Sequence, residues 1–334
     1  MGDAMPREDL LLFALASSAD YGRQIGAALA VPVAAHEEHE FADGEHKARP
    51  LVNVRGRDCF VLLSLHGDER YGVNDKLCRL LFFIGALKDA SAARVTAVVP
   101  YLAYARKDRK AEPRDPVTTR YVAALFEAAG TDRLVTLDVH NLAAFQNAFR
   151  CPTDHLEARL LFADFFPGLI GEQPVTVLSP DAGGMKRAER FRAALSARLG
   201  RPVAMGFMEK QRTLERVSGS LLVADVRDRA VIVFDDLISS GTTMLHAAMA
   251  CRDAGAARVY AAATHGVFVD GAGRVLADPV FERVVVTDSV PPFRLTSDAA
   301  LGKLSVVSAA PLFAEAIRRI HDGGSLTALL EPRP

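Results

Sequence analysis

Short apolar runs rich in β-branched residues recur along the chain, at 95–99, 134–137, 175–178, 231–234 and 259–263. Each leads into a polar turn and then a stretch rich in alanine and leucine, as at 74–90, 118–129, 186–199 and 243–254. A short apolar run bounded by turn residues reads as a buried strand, and the longer stretches have helical spacing. Strands alternating with helices make βαβ units and a mainly parallel sheet, an α/β fold. Residues 311–320 read as a terminal amphipathic helix.

The pattern occurs twice. LKDASAARV at 87–95 returns as CRDAGAARV at 251–259, either an internal duplication or two uses of one helix-to-strand connection. The boundary expected near 151–154 divides the 334 residues into domains at 1–155 and 156–310, with a helix and tail at 311–334. Two domains suit a chain of this length.

Composition narrows the function. Forty basic residues against forty-one acidic ones leave a net charge of −1, so no global positive field is available to hold a nucleic-acid backbone. Any anion must be held locally. No apolar run approaches the ~20 residues that span a bilayer. The first ten residues carry acids and a proline and do not resemble a secretory signal. The four cysteines form no C-x-x-C pair, which argues against a disulfide framework or a zinc site. A cytoplasmic protein with reduced thiols is expected.

In open parallel sheets ligands gather at the carboxyl ends of strands. The sharpest constellation there is DDLISSGTT at 235–243, after the run 231–234 and before a helix. Small residues at a helix start let backbone N–H groups close on a phosphate. The hydroxyls of Ser239, Ser240, Thr242 and Thr243 add donors around Gly241. Asp235 and Asp236 can accept hydrogen bonds from vicinal sugar hydroxyls. Phosphate at one end and hydroxyls at the other describe a ribose 5-phosphate. A capped helix after an acidic turn is the plainer account, but two adjacent acids at a buried strand end cost too much for a cap alone.

This stretch resembles the ribose-phosphate loop of type I phosphoribosyltransferases and of ribose-phosphate pyrophosphokinases, the PRPP synthases. The loop alone does not separate them; the rest of the chain does. FADGE at 41–45, NVRG at 53–56, VND at 73–75, YLAYARKDRK at 101–110 and DVH at 138–140 are similar to PRPP synthase segments. So are SPDAGG at 179–184, EKQR at 209–212, THG at 264–266 and APLFAEAIRRIH at 310–321, all in the family's order.

The resemblance implies two type I phosphoribosyltransferase-like domains related by a pseudo-repeat, with the terminal helix packed on the first. It implies diphosphoryl transfer from ATP to ribose 5-phosphate with Mg²⁺, in a homo-oligomer, commonly a hexamer built of dimers. Phe41, Asp43, Gly44 and Glu45 would bracket the adenine from a neighbouring subunit. Arg106, Lys107, Asp108 and His140 would line the ATP site, where a planar guanidinium can stack on adenine or grip phosphate. Asp181, Ala182, Gly183 and Gly184 would form the diphosphate loop, and Lys210 and Arg212 the catalytic pair. Ribose 5-phosphate would meet Arg212, Asp235, Asp236 and residues 239–243. His140 and Asp181 carry the family's metal role. Asp181 is the better ligand on chemical grounds, because Mg²⁺ prefers oxygen. The stretch 213–220 is polar and reads as a flexible loop able to close over ATP.

Several positions depart from the family's usual form. Lys107 replaces a common glutamine, an added cation that favours phosphate contact over adenine. HGDERY at 66–71 and NLAAFQN at 141–147 are atypical, and SSGTT stands nearer to the simple phosphoribosyltransferase loop. Two rival readings stay open at this level: a PRPP-consuming phosphoribosyltransferase, and a non-catalytic regulatory homologue of the synthase.

Overall fold

The computed structural model describes residues 9–210 and 220–331; the side chains of Lys210 and Ser220 lie outside that description. The chain divides into two units, one running to Leu156 and taking in Ala310–Glu331, the other covering Glu157–Ala309.

The first unit opens with β1 (Leu10–Ala14) and α1 (Ala19–Leu29), followed by an antiparallel hairpin, β2 (His36–Glu40) and β3 (His46–Pro50). It continues through β4 (Asp58–Leu62), α2 (Val73–Asp89), β5 (Arg94–Val99), α3 (Thr118–Ala128), β6 (Arg133–Leu137), α4 (Leu142–Ala148) and β7 (Thr153–Leu156). Its sheet runs β1-β4-β5-β6-β7, all parallel. A single parallel bridge from Val33 to Leu12 lies on the far side of β1. Strands buried on both faces must be apolar throughout, and β4 is buried at every position. One face packs Phe13, Val61, Leu80, Phe83, Ile84 and Phe126 into a core under α2 and α3.

The second unit begins with α5 (Arg159–Phe165) and α6 (Pro167–Ile170), then β8 (Val175–Ser179) and α7 (Met185–Leu199). The antiparallel pair β9 (Ala204–Lys210) and β10 (Ser220–Val223) comes next, its connection 211–219 outside the described residues. The chain continues through β11 (Ala230–Ile238), α8 (Thr242–Asp253), β12 (Arg258–Gly266), α9 (Ala272–Leu276), β13 (Arg283–Thr287), α10 (Asp298–Leu301) and β14 (Leu304–Val307). The sheet order is β10-β9-β8-β11-β12-β13-β14, parallel except at β10. On one face Val231, Val233, Cys251, Val259 and Phe268 share a core. On the other, Phe162, Phe191 and Phe234 interlock, with ring centroids 5.5 and 4.4 Å apart.

The two units therefore repeat one topology. In each, the first strand has the next parallel segment on one side (Val33 or β9) and the remaining strands in chain order on the other. An antiparallel hairpin is inserted at the same point, β2–β3 in one unit and β9–β10 in the other. The matching segments at 87–95 and 251–259 join α2 to β5 and α8 to β12, equivalent connections.

The last helix, α11 (Ala310–Asp322), belongs to the first unit. Its apolar face sets Phe313 edge-on to Tyr21 of α1 at 6.2 Å. His321 Nδ1 lies 2.8 Å from Asp58 Oδ2, and Arg94 Nε donates to the other oxygen of Asp58 at 2.8 Å. Arg94 also donates to the Ile320 carbonyl at 3.1 Å, so one buried carboxylate and one arginine fasten the end of the helix.

Candidate active site

In the second unit two strand-to-helix turns lie side by side, because β8 and β11 are neighbours in the sheet. The first turn follows Ser179. The Ser179 hydroxyl donates to the Asp181 carbonyl at 2.6 Å, and Gly184 N–H donates to Asp181 Oδ1 at 3.0 Å. These bonds fold 179–184 into a tight loop at the start of α7. A Cβ on Gly184 would sit 2.7 Å from the Ser179 hydroxyl, closer than atoms can approach, so the loop requires glycine there. Ala182 and Gly183 are exposed at its tip.

The second turn differs from the sequence expectation in one respect. The strand predicted at 231–234 extends to Ile238, and Asp235 and Asp236 stand within it. Asp235 pairs with Ala263 in register, and Leu237 with His265. Asp236 keeps 4 % of its side-chain exposure and Asp235 keeps 22 %. Arg187 Nη1, from the first turn of α7, lies 2.9 Å from Asp235 Oδ1 and 3.2 Å from Asp236 Oδ1. Burial pushes the Asp235 carboxyl up, to about 7, and the charge of Asp236 adds to the rise while Arg187 opposes it. Beyond Ile238 the chain turns through Ser239, Ser240 and Gly241. Gly241 has φ of 80°, a conformation glycine adopts without strain, and a Cβ there would lie 3.2 Å from the Leu276 side chain. The Ser240 and Thr242 hydroxyls are 2.6 Å apart, and Thr242 and Thr243 begin α8 exposed. Hydroxyl donors and carboxylate acceptors thus sit at opposite ends of one turn.

The first unit carries a second set of groups. Phe41, Asp43, Gly44 and Glu45 form the exposed turn of the β2–β3 hairpin. Gly44 has φ of 92°, and Glu45 N–H donates to Asp43 Oδ1 at 3.1 Å. Residues 101–115, after β5, are an irregular loop held at several points. Tyr104 hydrogen-bonds Asn74 at the start of α2, and the Thr119 hydroxyl donates to the Tyr104 carbonyl at 2.9 Å. Arg106 stays exposed. Lys107 instead turns back on its own loop, its Nζ 2.5 Å from Asp115 Oδ2, which also accepts the Ala111 and Glu112 N–H groups. Lys107, expected at the ATP site, is thus paired within its own loop.

The turn after β6 holds Asp138 at φ 37°, an unusual conformation for a residue other than glycine. Val139 is buried beneath it and His140 emerges exposed. Asn141 caps α4 by accepting the Ala144 N–H at 3.2 Å and donates to Asp108 Oδ2 at 2.6 Å. That bond brings Asp108 and the His140 turn together, a role for Asn141 absent from the sequence reading. Arg187 was missed as well; its only signal was a cation in the first turn of a helix, where the dipole favours anions.

The expected catalytic pair falls at the edge of the described residues. Lys210 ends β9 opposite Ser220, while Arg212 and the loop read at 213–220 lie outside the described residues, except for Ser220 at the start of β10. For a metal, Asp181 offers a carboxylate on an exposed loop and His140 an exposed imidazole, the first in the second unit and the second in the first. Among the described residues no group of three histidine, cysteine or acidic side chains could form a protein cage. The Asp181 carboxylate fits Mg²⁺, which usually takes one or two carboxylates and fills the remaining positions with water and substrate phosphate.

These features define an α/β protein of two phosphoribosyltransferase-like units, with an acidic, hydroxyl-rich strand-to-helix turn in the second. Residues 10–130 match the family model described as the N-terminal domain of ribose phosphate pyrophosphokinase, and residues 181–331 match the phosphoribosyl synthetase-associated domain. The chain is 37 % identical over 332 residues to a ribose-phosphate pyrophosphokinase 1 of Streptococcus pyogenes, covering 98 % of this chain and 99 % of the relative. It is 37 % identical over 327 residues to a Clostridium perfringens ribose-phosphate pyrophosphokinase, covering 97 % and 98 %. The crystal structure of phosphoribosylpyrophosphate synthetase from Mycobacterium smegmatis superposes with a TM-score of 0.85 at 36 % identity, over 95 % of this chain and all of that one. The chain belongs to the ribose-phosphate pyrophosphokinase family. Among the described residues no helix is long and apolar enough to cross a membrane.

Proposed function

We propose that this chain transfers the β,γ-diphosphoryl group of ATP to the 1-hydroxyl of ribose 5-phosphate, giving 5-phosphoribosyl 1-diphosphate and AMP. The observation that carries the reading is the near full-length match, which takes in the N-terminal unit as well as the sugar-phosphate turn. A phosphoribosyltransferase that used no ATP would leave that first unit idle.

The 1-hydroxyl oxygen attacks the β-phosphorus in line, and the bond to the α,β-bridging oxygen breaks. Little covalent chemistry falls to the protein, so catalysis is positioning plus charge stabilisation. Residues 239–243 hold the 5-phosphate through hydroxyls and backbone N–H groups. Asp235 and Asp236 accept hydrogen bonds from the ribose hydroxyls. Asp181 and the backbone of Ala182, Gly183 and Gly184 approach the diphosphate. Lys210 and Arg212 stabilise the negative charge of the transferring group. Arg106, Lys107, Asp108 and His140 face ATP, and the bond from Lys107 to Asp115 also holds their loop in shape. Asp181 and His140 would hold Mg²⁺, which supplies charge neutralisation on the phosphates.

The exposed turn holding Phe41, Asp43, Gly44 and Glu45 completes the adenine pocket of a neighbouring copy. The active form is then a homo-oligomer built from dimers, up to a hexamer, and it works in the cytoplasm. The test is AMP formation from ATP and Mg²⁺ by the purified protein, with and without ribose 5-phosphate. AMP that appears only with the sugar, matched by PRPP, is the expected result. ATP consumed without the sugar, or not at all, refutes the reading.

A further inference from the structure

We infer that Arg187 is a positioning residue of the sugar site: it fixes the Asp235 and Asp236 carboxylates as acceptors for the ribose hydroxyls and ties their strand to the diphosphate loop. The inference rests on the ribose 5-phosphate reading of residues 235–243.

Three observations support it. Arg187 is separated by 48 residues from Asp235, yet one guanidinium nitrogen lies within 3.2 Å of both carboxylates. It rises from the first turn of α7, directly after the diphosphate loop, and the Cβ that Gly184 lacks would lie 3.7 Å from that nitrogen. The same side chain therefore lies against both turns. Third, α7 has no acid in its first turn, although the positive end of a helix favours one and disfavours a cation. An arginine at that place is explained by its partners and not by the helix.

The chemistry requires such a group. Two adjacent carboxylates repel each other, and burial raises the cost. Ribose hydroxyls donate hydrogen bonds but bring no positive charge, so binding the sugar leaves the repulsion in place. A fixed guanidinium offsets it while occupying one oxygen of each acid. Each carboxylate has about four lone-pair sites, so acceptor capacity remains for the hydroxyls. A guanidinium also keeps its charge on burial more firmly than an ammonium. Both turns of the site are then set by one side chain, so a shift of the diphosphate loop moves the sugar acceptors.

The test uses the full-length protein and compares Arg187→Met and Arg187→Lys with wild type. Ribose 5-phosphate uptake is measured by calorimetry without ATP, and the KM values for sugar and ATP are measured separately. Arg187→Met should weaken sugar binding and raise its KM about tenfold or more, with the ATP KM changed less than about twofold, and Arg187→Lys should recover part of the loss. If Arg187→Met does not fold, Asp236→Asn is compared with Asp236→Asn plus Arg187→Met, where one negative charge fewer needs compensation. The pair should differ by about twofold to fivefold in sugar affinity, less than in the wild-type background because the repulsion is smaller. Equal sugar affinity with and without Arg187, or an equal loss for sugar and ATP, overturns the inference. Wild-type protein that takes up no ribose 5-phosphate overturns the sugar reading, and this inference with it.

Discussion

The two units share a strand order but fill its switch point differently. In the second, the turns after β8 and β11 hold small residues and carboxylates around Gly184 and Gly241. In the first, the equivalent turns follow β1 and β4, and they are closed by the protein's own side chains. Ser64 N–H donates to the Ser18 hydroxyl at 3.0 Å, stitching one turn to the other. His66 is buried, and Lys76 is fully buried with Nζ 2.6 Å from Asp68. The Tyr71 hydroxyl donates to Glu40 at 2.9 Å, and the Arg79 guanidinium lies 4.0 Å from the Tyr71 ring centre. The atypical segment at 66–71 is thus the packing of a filled switch point. In the first unit the proposed ATP-facing residues lie instead on the turns after β5 and β6. Topology offers a crevice, and side-chain volume and pairing decide whether it stays open.

The acids of the two switch points differ in the same way. Burial works against ionisation of Asp68, but hydrogen bonds from Lys76 and from the Tyr71 and Arg70 N–H groups outweigh it and hold its pKa down to about 2. Asp235, beside a second acid, is pushed the other way. One carboxylate supports the fold, and the other is held at a cost that only a ligand or a counter-charge offsets.

The comparison can be broken most sharply at the catalytic segment. Lys210→Ala should lower turnover by about 10²- to 10³-fold, as loss of one charge-stabilising donor does, with the sugar KM nearly unchanged. Near-normal turnover would remove Lys210 from the mechanism. Asp68→Ala, at the filled switch point, should act on stability alone. It takes the counter-charge from a buried lysine and should cost about 3 kcal/mol in denaturant unfolding. A changed sugar KM with normal stability would mean that the first switch point also binds ligand.

Glycine substitutions probe the same contrast more gently. Gly184→Ala must displace Ser179 and should cost about 1–3 kcal/mol, together with diphosphate-loop function. Gly72→Ala, whose Cβ would lie 3.1 Å from a terminal oxygen of Asp75, should cost less than about 1 kcal/mol. Equal losses in urea midpoint would erase the distinction.

pH separates the units by sign. Asp68, with its lowered pKa, adds stability above the ordinary carboxylate range that is lost as pH falls toward about 2, roughly 1–2 kcal/mol after solvent screening. Asp235, with its raised pKa, costs the fold stability as pH rises from the ordinary carboxylate range to about 7, and no further beyond it. A protonated Asp235 also accepts fewer hydroxyls, so the ribose 5-phosphate KM should rise severalfold, roughly threefold to tenfold, as pH falls from the alkaline side through that value. A flat KM profile would show that Asp235 does not meet the sugar as an anion.

Much of this was legible in the chain. The β-branched runs marked β5, β6, β8, β11 and β12 to within a few residues, because strands buried on both faces must be apolar. The hairpin β2–β3 was not marked: HEEHE and HKARP are polar on both faces, and the pair is ordered by contacts such as Tyr71 to Glu40. The extension of β11 through two acids was also hidden, since charged residues argue against a buried strand until a partner such as Arg187 is seen.

Local sequence dictates the alternation of strand and helix and the placement of small, hydroxyl and acidic residues at the strand ends. These follow from local sterics and from the periodicity of burial, which neighbouring residues encode. Only the tertiary structure decided which turn is open and which is filled, that Lys107 bonds Asp115, and that Arg187 reaches Asp235 and Asp236. Those outcomes depend on side chains far apart in the chain, whose meeting is settled by the packing of whole strands and helices.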